Sequence, residues 1–273
     1  TDSGPHYLGA STPKTARAAV LRDMRLILTH ARAAGIPVLV GSCGTSGTDD
    51  GVDWLCEICR QVSDEEGLPL RIARIYSEQD KQALLRGITD GRTIALPPAV
   101  PLTAAMIDRC EHIVGLMGHE PLVEALAAGA DVVLAGRCTD TALIAAVPLV
   151  QGMPMGAAWH AGKIAGGGGG GRTGKGWGGG RVACGTAGFE VEPLDVSLAC
   201  TPRSVAAHML YENVDPFRMR EPAGWPDVTD ATYTALDPRR VRVGGSRFDV
   251  ASQYSITLEG ASAVCYRAVS SFG

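Results

Sequence analysis

The sequence predicts an α/β protein, a parallel sheet flanked by helices and followed by a smaller α+β portion. Short β-branched runs alternate with amphipathic helical stretches as far as residue 149, which implies parallel strands joined by helical crossovers. Hydrophobic residues make up 45% of the chain but aromatic ones only 5%, so the apolar material is Ala, Val, Leu and Ile, as in strands covered on both faces. Beyond a glycine-rich stretch the apolar residues change to the two-residue period of half-exposed strands. A chain of 273 residues buries a large core and fits two unequal lobes around a cleft. The expected division is an α/β domain over 1–165, a glycine-rich linker over 166–181, and an incomplete α+β portion over 182–273.

The elements follow in order. Residues 2–7 read as a loop leaving the end of a preceding strand, which would set Asp2 and Ser3 beside the loop that closes the next strand. Thr12 as N-cap and Pro13 at the first helical position begin a helix that runs to Ala33 and stops at Gly35. A buried strand over 36–40 leads into the loop Gly41-Ser-Cys-Gly-Thr-Ser-Gly47 and a helix over 50–66. A strand over 70–76 and a helix over 80–86 follow, then the proline-rich passage 96–102, which suits a crossover or hinge. Strands are expected over 112–117 and 131–135, with a helix over 120–128 between them and another over 141–149. In the second part, 189–192, 241–243 and 254–258 read as strands and 202–213 as a helix.

Charge and composition exclude several classes. The net charge is −4 with Lys and Arg scattered, which leaves no electrostatic footprint for nucleic acid. No apolar run approaches the ~20 residues of a membrane span, and the first residues resemble neither a signal nor a transit peptide, so a cytoplasmic protein is expected. The eight cysteines are too dispersed for a disulfide scaffold and read as reduced thiols. Cys56 and Cys59 have CxxC spacing, but two ligands do not make a zinc site, and neither a metal nor a cofactor is expected.

Ligands of parallel sheets sit beyond the carboxyl ends of the strands. That rule singles out Gly41, Ser42, Cys43, Gly44, Thr45, Ser46 and Gly47, where glycines expose backbone N–H groups, hydroxyls can bind carboxylate or phosphate oxygens, and a helix amino terminus follows. Cys43 near that terminus is a possible nucleophile with a lowered thiol pKa, or simply a small loop residue. Gly136-Arg-Cys-Thr-Asp-Thr141 stands in the same position after the next strong strand. There Arg137 offers a fork for a carboxylate, Thr139 and Thr141 offer hydroxyls, and Asp140 is a candidate base; alternatively Thr139 is a plain N-cap. His160 and Lys163 lie three apart and share a face if helical, a candidate acid/base pair, and His119 has a similar claim. The run Gly170-Gly-Arg-Thr-Gly-Lys-Gly fails as a phosphate loop, because glycine follows Lys175 and no apolar strand precedes it.

Asp2-Ser-Gly-Pro-His-Tyr-Leu-Gly9, the Gly41 to Gly47 loop, Asp131-Val-Val-Leu-Ala-Gly-Arg-Cys-Thr-Asp-Thr141, Trp159-His-Ala-Gly-Lys-Ile164 and residues 202–220 together resemble the acyclic terpene utilisation (AtuA-like) family of bacterial and fungal proteins. The match runs in the family's order over most of the chain and breaks at 165–181, where members carry a mixed, cysteine-containing stretch instead of a glycine run. The resemblance implies a longer protein, with a strand before Asp2 and more chain after Gly273. It also implies work on terpene-derived acids handled as coenzyme A thioesters, alongside a small partner subunit or domain. It supplies no catalytic residues.

Combined with the strand-end loops, this points to a lyase, hydratase or isomerase of carboxylate or acyl-CoA metabolism. Its substrate is a small anion, and it is expected to assemble as a homo-oligomer. The alternative is a non-catalytic subunit that binds a small partner protein through its α+β portion.

Overall fold

The computed structural model describes residues 4–96, 100–166, 171–173, 179–210, 213 and 215–262. The first part runs α1 (Pro5–Ala10), α2 (Arg17–Ala34), β1 (Val38–Gly41), α3 (Asp49–Glu66), β2 (Ile72–Ile75), α4 (Lys81–Thr89), α5 (Ala104–Arg109), β3 (Cys110–Leu116), α6 (Glu120–Ala127), β4 (Val132–Ala135), α7 (Asp140–Val150) and α8 (Met155–Gly166). The second part runs β5 (Arg172–Thr173), β6 (Gly180–Gly185), β7 (Gly188–Pro193), β8 (Ala199–Cys200), α9 (Pro202–His208), β9 (Gly224–Asp227), β10 (Thr232–Ala235), β11 (Val241–Gly244), β12 (Arg247–Val250) and β13 (Thr257–Ser262). The chain is thus mixed α/β, as its sequence predicts.

The parallel sheet has the order β1-β4-β2, and β4 is buried at every residue. Its alternation decides the layers. Val132 and Leu134 face α2 and α3, packing with Leu28, Val52 and Ile58, while Val133 and Ala135 face Leu122 of α6, Ala142 and Ala145 of α7 and Trp159 of α8. Threonine or aspartate side chains cap most of the helices around the sheet: Thr48 starts α3, Asp80 α4, Thr103 α5 and Thr139 α7. Gly35, in the left-handed conformation, ends α2 as expected.

Three expectations need correction. The helix expected from Thr12 begins at Arg17, with Ala16 at its cap, because residues 12–14 are held elsewhere: Thr12 N–H donates to Tyr7 O at 3.2 Å and Lys14 N–H to Gly44 O at 3.3 Å. The stretch read as a loop holds α1, with Pro5 in its first turn. The strand expected over 112–117 does not join the parallel sheet: β3 pairs antiparallel with β13, and a parallel bridge, Met117 to Cys138, links its end to the segment after β4. Its buried run Ile113 to Gly115 between partly buried ends fits either pairing, and only the long-range partner decides.

The second part is built on an antiparallel sheet of order β10-β11-β7-β6, with strictly alternating burial along β7. The helix expected over 202–213 ends at His208. Of the glycine-rich stretch, 167–170 and 174–178 lie outside the described residues, as do 97–99 of the proline-rich passage and Asp2 and Ser3. Arg172 and Thr173 pair with Cys200 and Ala199. Helix α8 serves both cores, with Ala158 and Trp159 against the parallel sheet and Ala161 and Ile164 against β7 and β11. Gly162 brings it tightly onto the start of α7, since a Cβ there would lie 2.5 Å from Thr141 O. Among the described residues no helix is long and apolar enough to cross a membrane.

Candidate active site

Gly41, Ala135 and Ile75 end their strands in register, so the loops that follow meet at one edge of the sheet. The loop after β1 is wound through left-handed backbone at Ser42 (φ 70°), Gly44 (φ 66°), Thr45 (φ 63°) and Gly47 (φ 75°). For a β-branched residue such as Thr45 this conformation is costly, of the order of 1–3 kcal/mol. Among the described residues the other non-glycine with positive φ, besides Ser42 and Thr45, is Ser11, and it belongs to the same corner: its hydroxyl donates towards Thr48 Oγ1 (2.8 Å) and Asp50 Oδ2 (2.9 Å). Strain of this kind is concentrated where a shape is needed.

The loops interlock. A Cβ on Gly136 would lie 2.6 Å from Ser77 Oγ and 2.8 Å from Gly47 O; one on Gly47 would lie 2.9 Å from Gly136 O. Arg137 N–H donates to Ser77 Oγ, and Asp49 Oδ1 accepts from the N–H groups of Ser77 (3.1 Å) and Glu78 (3.2 Å). Three chain segments distant in sequence are thereby locked into one surface.

Several groups expected to be open are engaged by the chain itself. Arg137 is buried, its Nη1 donating to Ser42 Oγ at 2.8 Å and its Nε and Nη2 to the two oxygens of Glu259 at 3.2 and 3.3 Å. The carboxylate expected in that fork is therefore one of the chain's own. Burial acts to raise the pKa of Glu259, but the opposing hydrogen bonds and charges, those of Arg137 first among them, together hold the carboxyl below its usual range. Ser46 is fully buried against Thr48 (3.0 Å), and Thr45 Oγ1 turns back to Gly44 O (2.6 Å). Cys43 packs in the core with Val52, Cys56 and Cys59. Burial, reinforced by the neighbouring thiols, drives its pKa up, opposite to the lowering expected at a helix terminus.

The histidines separate. His160 is fully buried between α8 and the antiparallel sheet, its Nδ1 2.7 Å from Ser246 Oγ and its Nε2 3.4 Å from Tyr233 OH, and burial lowers its pKa to about 4. It is a neutral, hydrogen-bonded core residue. Lys163, one turn on, acts electrostatically on Glu221 and His208 instead, so the shared helical face does not make a pair of the two. His119 stands at the cap of α6, edge-on to Trp159 with ring centroids 5.4 Å apart, and burial lowers its pKa.

What gathers at the start of α7 is a residue that no motif flags. Glu221, 82 residues from Thr139, accepts a hydrogen bond from Thr139 Oγ1 at 3.0 Å, while the same hydroxyl accepts from Ala142 N–H at 3.1 Å. Thr139 is thus the N-cap of α7, and the same hydroxyl also donates to Glu221. Glu221 is half-buried, and its pKa is pushed up to about 7, by burial first. The hydroxyls of Thr139 and Thr141 and the charge of Lys163 pull it down, while Asp140 pushes it up. The only local hints in sequence are its place before Pro222 and beside Arg220, neither of which names a partner.

The family model for acyclic terpene utilisation family protein AtuA matches residues 12–151. The chain belongs to the AtuA family. The AtuA match covers both strand-end loops and α7, and it ends before Lys163 and Glu221. No curated protein and no solved structure matches the chain. Among the described residues of this AtuA member, no group of three or more His, Cys, Asp or Glu side chains could hold a metal ion. A cavity of about 300 Å³ opens at the opposite, amino ends of the strands, lined by residues such as Leu28, Ile36, Val132 and Val147, with Arg71 paired to Asp131 (3.3 Å). It contains none of the groups described above. Three helix carboxyl termini converge there, and their partial negative charge opposes an anion, so the Glu221 edge is the better candidate.

Proposed function

We propose that this AtuA family member is an enzyme of carboxylate or acyl-thioester metabolism, of the lyase, hydratase or isomerase type, in which Glu221 moves a proton beside the substrate carbonyl. The observation that carries the reading is the half-buried carboxyl of Glu221, whose pKa of about 7 lets it take up and return a proton near neutral pH. Thr139, fixed by its bond to the α7 backbone, aims that carboxyl. Lys163 supplies positive charge for a small anionic substrate or for the enolate that forms when the proton leaves. His160 stands outside this assignment as a structural residue. The protein acts in the cytoplasm, and its activity rises with pH through about 7 as Glu221 becomes the competent base.

The test is deuterium incorporation from solvent at the carbon next to the carbonyl, followed by mass spectrometry over a panel of acyl-CoA esters and hydroxy acids. At least one should exchange with the native chain, and Glu221→Gln should slow it by about 100-fold or more without lowering the melting temperature. A panel that never exchanges, or exchange indifferent to Glu221→Gln, sinks the assignment.

A further inference from the structure

A second set of titratable groups gathers beside Glu221, around Gly118. Met117 and Thr139 are tied by the bond from Thr139 N–H to Met117 O (3.1 Å), so Gly118 lies next to the segment that holds Glu221. Gly118 N–H donates to the hydroxyl of Tyr254 at 3.2 Å, and that hydroxyl donates to Glu120 Oε2 at 3.0 Å. The other oxygen of Glu120 is 3.5 Å from His119 Nδ1. A Cβ on Gly118 would lie 2.5 Å from Glu120 Oε2, 3.0 Å from the Tyr254 hydroxyl and 3.3 Å from Pro222 Cβ, so only glycine lets these groups meet. Pro222 follows Glu221 directly, and its carbonyl accepts from Ser255 N–H at 3.1 Å, which ties the tyrosine segment to the glutamate segment.

Tyr254 and His119 are in protonation states suited to hydrogen bonding rather than charge. Burial and the Glu120 carboxylate drive the Tyr254 pKa up to about 12, although the Gly118 N–H opposes them, so the phenol keeps its proton. His119 is driven toward the neutral form by burial. Behind it, Trp159 Nε1 is fully buried, and among the described residues neither it nor His119 Nδ1 has a hydrogen-bond partner. Buried polar nitrogens without partners are uncommon enough to demand an explanation. Tyr254 itself is exposed.

We propose that Tyr254, backed by Glu120 and His119, is the second half of the Glu221 site and binds a keto or hydroxyl oxygen of the substrate, its phenolic O–H turning from Glu120 to that oxygen when substrate enters. The inference rests on Glu221 being the proton-transfer group of that site. The Gly118 N–H polarises the phenol and strengthens it as a donor, while Glu120 accepts from a substrate hydroxyl. Tyr254 thus acts as a specificity residue, separating oxygenated substrates from their deoxy counterparts.

Acetoacetate and butyrate share a carboxylate and a carbon skeleton and differ in the keto oxygen, so their affinities for the full chain, measured by ligand-observed NMR, test the idea. The native chain should prefer acetoacetate by about tenfold or more. Tyr254→Phe should bring the ratio close to one with butyrate affinity unchanged, and Glu120→Gln, which preserves packing, should reduce it. Glu221→Gln should keep the preference while abolishing deuterium exchange. Absence of a preference in the native chain, or a preference intact in Tyr254→Phe, overturns the proposal. A preference that depends on Tyr254 alongside exchange indifferent to Glu221→Gln leaves the oxygen site standing and removes the Glu221 reading.

Discussion

Ionising Glu221 costs the folded molecule stability, so its contribution depends on pH. Its folded pKa of about 7 stands above the 4.5 of an ordinary glutamate, so the folded state binds the proton more tightly than the unfolded chain does. The stabilisation is therefore fully present below about 4.5 and is lost as pH rises through about 7. Glu221→Gln, which cannot ionise, should melt higher than the native chain at pH values above that range, and the gap should close as the pH falls; a gap independent of pH would mean that the carboxyl is not held as described. Nothing in sequence announces this residue, because its environment comes from Thr139, Thr141 and Lys163, all remote along the chain. His160 misleads for the complementary reason. A histidine beside a lysine one turn away has the composition of an acid/base pair, but which face of α8 meets Ser246 and Tyr233 is set by the antiparallel sheet.

At the scale of elements, the strand-end loops were the most legible feature. Their glycines, their position after apolar runs and the Thr139 cap are local properties, and the structure places both loops together at the sheet edge. Legibility stopped where an element's partner lies far away. Thr12 and Pro13 have good helix-start chemistry, yet the backbone of Lys14 is claimed by Gly44 and the helix waits until Arg17. The engagement of the Arg137 fork was hidden in the same way, since Glu259 is 122 residues distant. The contact between the loops is itself testable. Gly136→Ala forces a methyl to within 2.6 Å of Ser77 Oγ and 2.8 Å of Gly47 O. It should destabilise the protein by about 1–3 kcal/mol in chemical denaturation, the range for overpacking, with the largest amide shifts by NMR at Ser42 to Gly47. Shifts confined to the neighbourhood of Gly136 would show that the loops move independently.

For the molecule as a whole, the Arg137–Glu259 pair fastens β13 to the carboxyl edge of the parallel sheet. Removing Arg137 takes the guanidinium hydrogen bonds from the partly buried carboxylate of Glu259. Arg137→Ala should therefore cost about 2–4 kcal/mol in urea denaturation, and Glu259→Gln in the same chain should restore part of that loss. Strictly additive effects of the two substitutions would mean that the residues do not act as a pair.

The distance of that pairing along the chain also sets an order in time. A nascent chain has completed both strand-end loops and α7 well before Glu259 and β13 emerge, so Arg137 first folds without its carboxylate. Contacts of such high sequence separation form late and slowly. Between those moments the sheet edge presents a cation with its natural counterion still to come, and the surface of the strand-end loops reaches its final electrostatic state only when β13 has paired with β3.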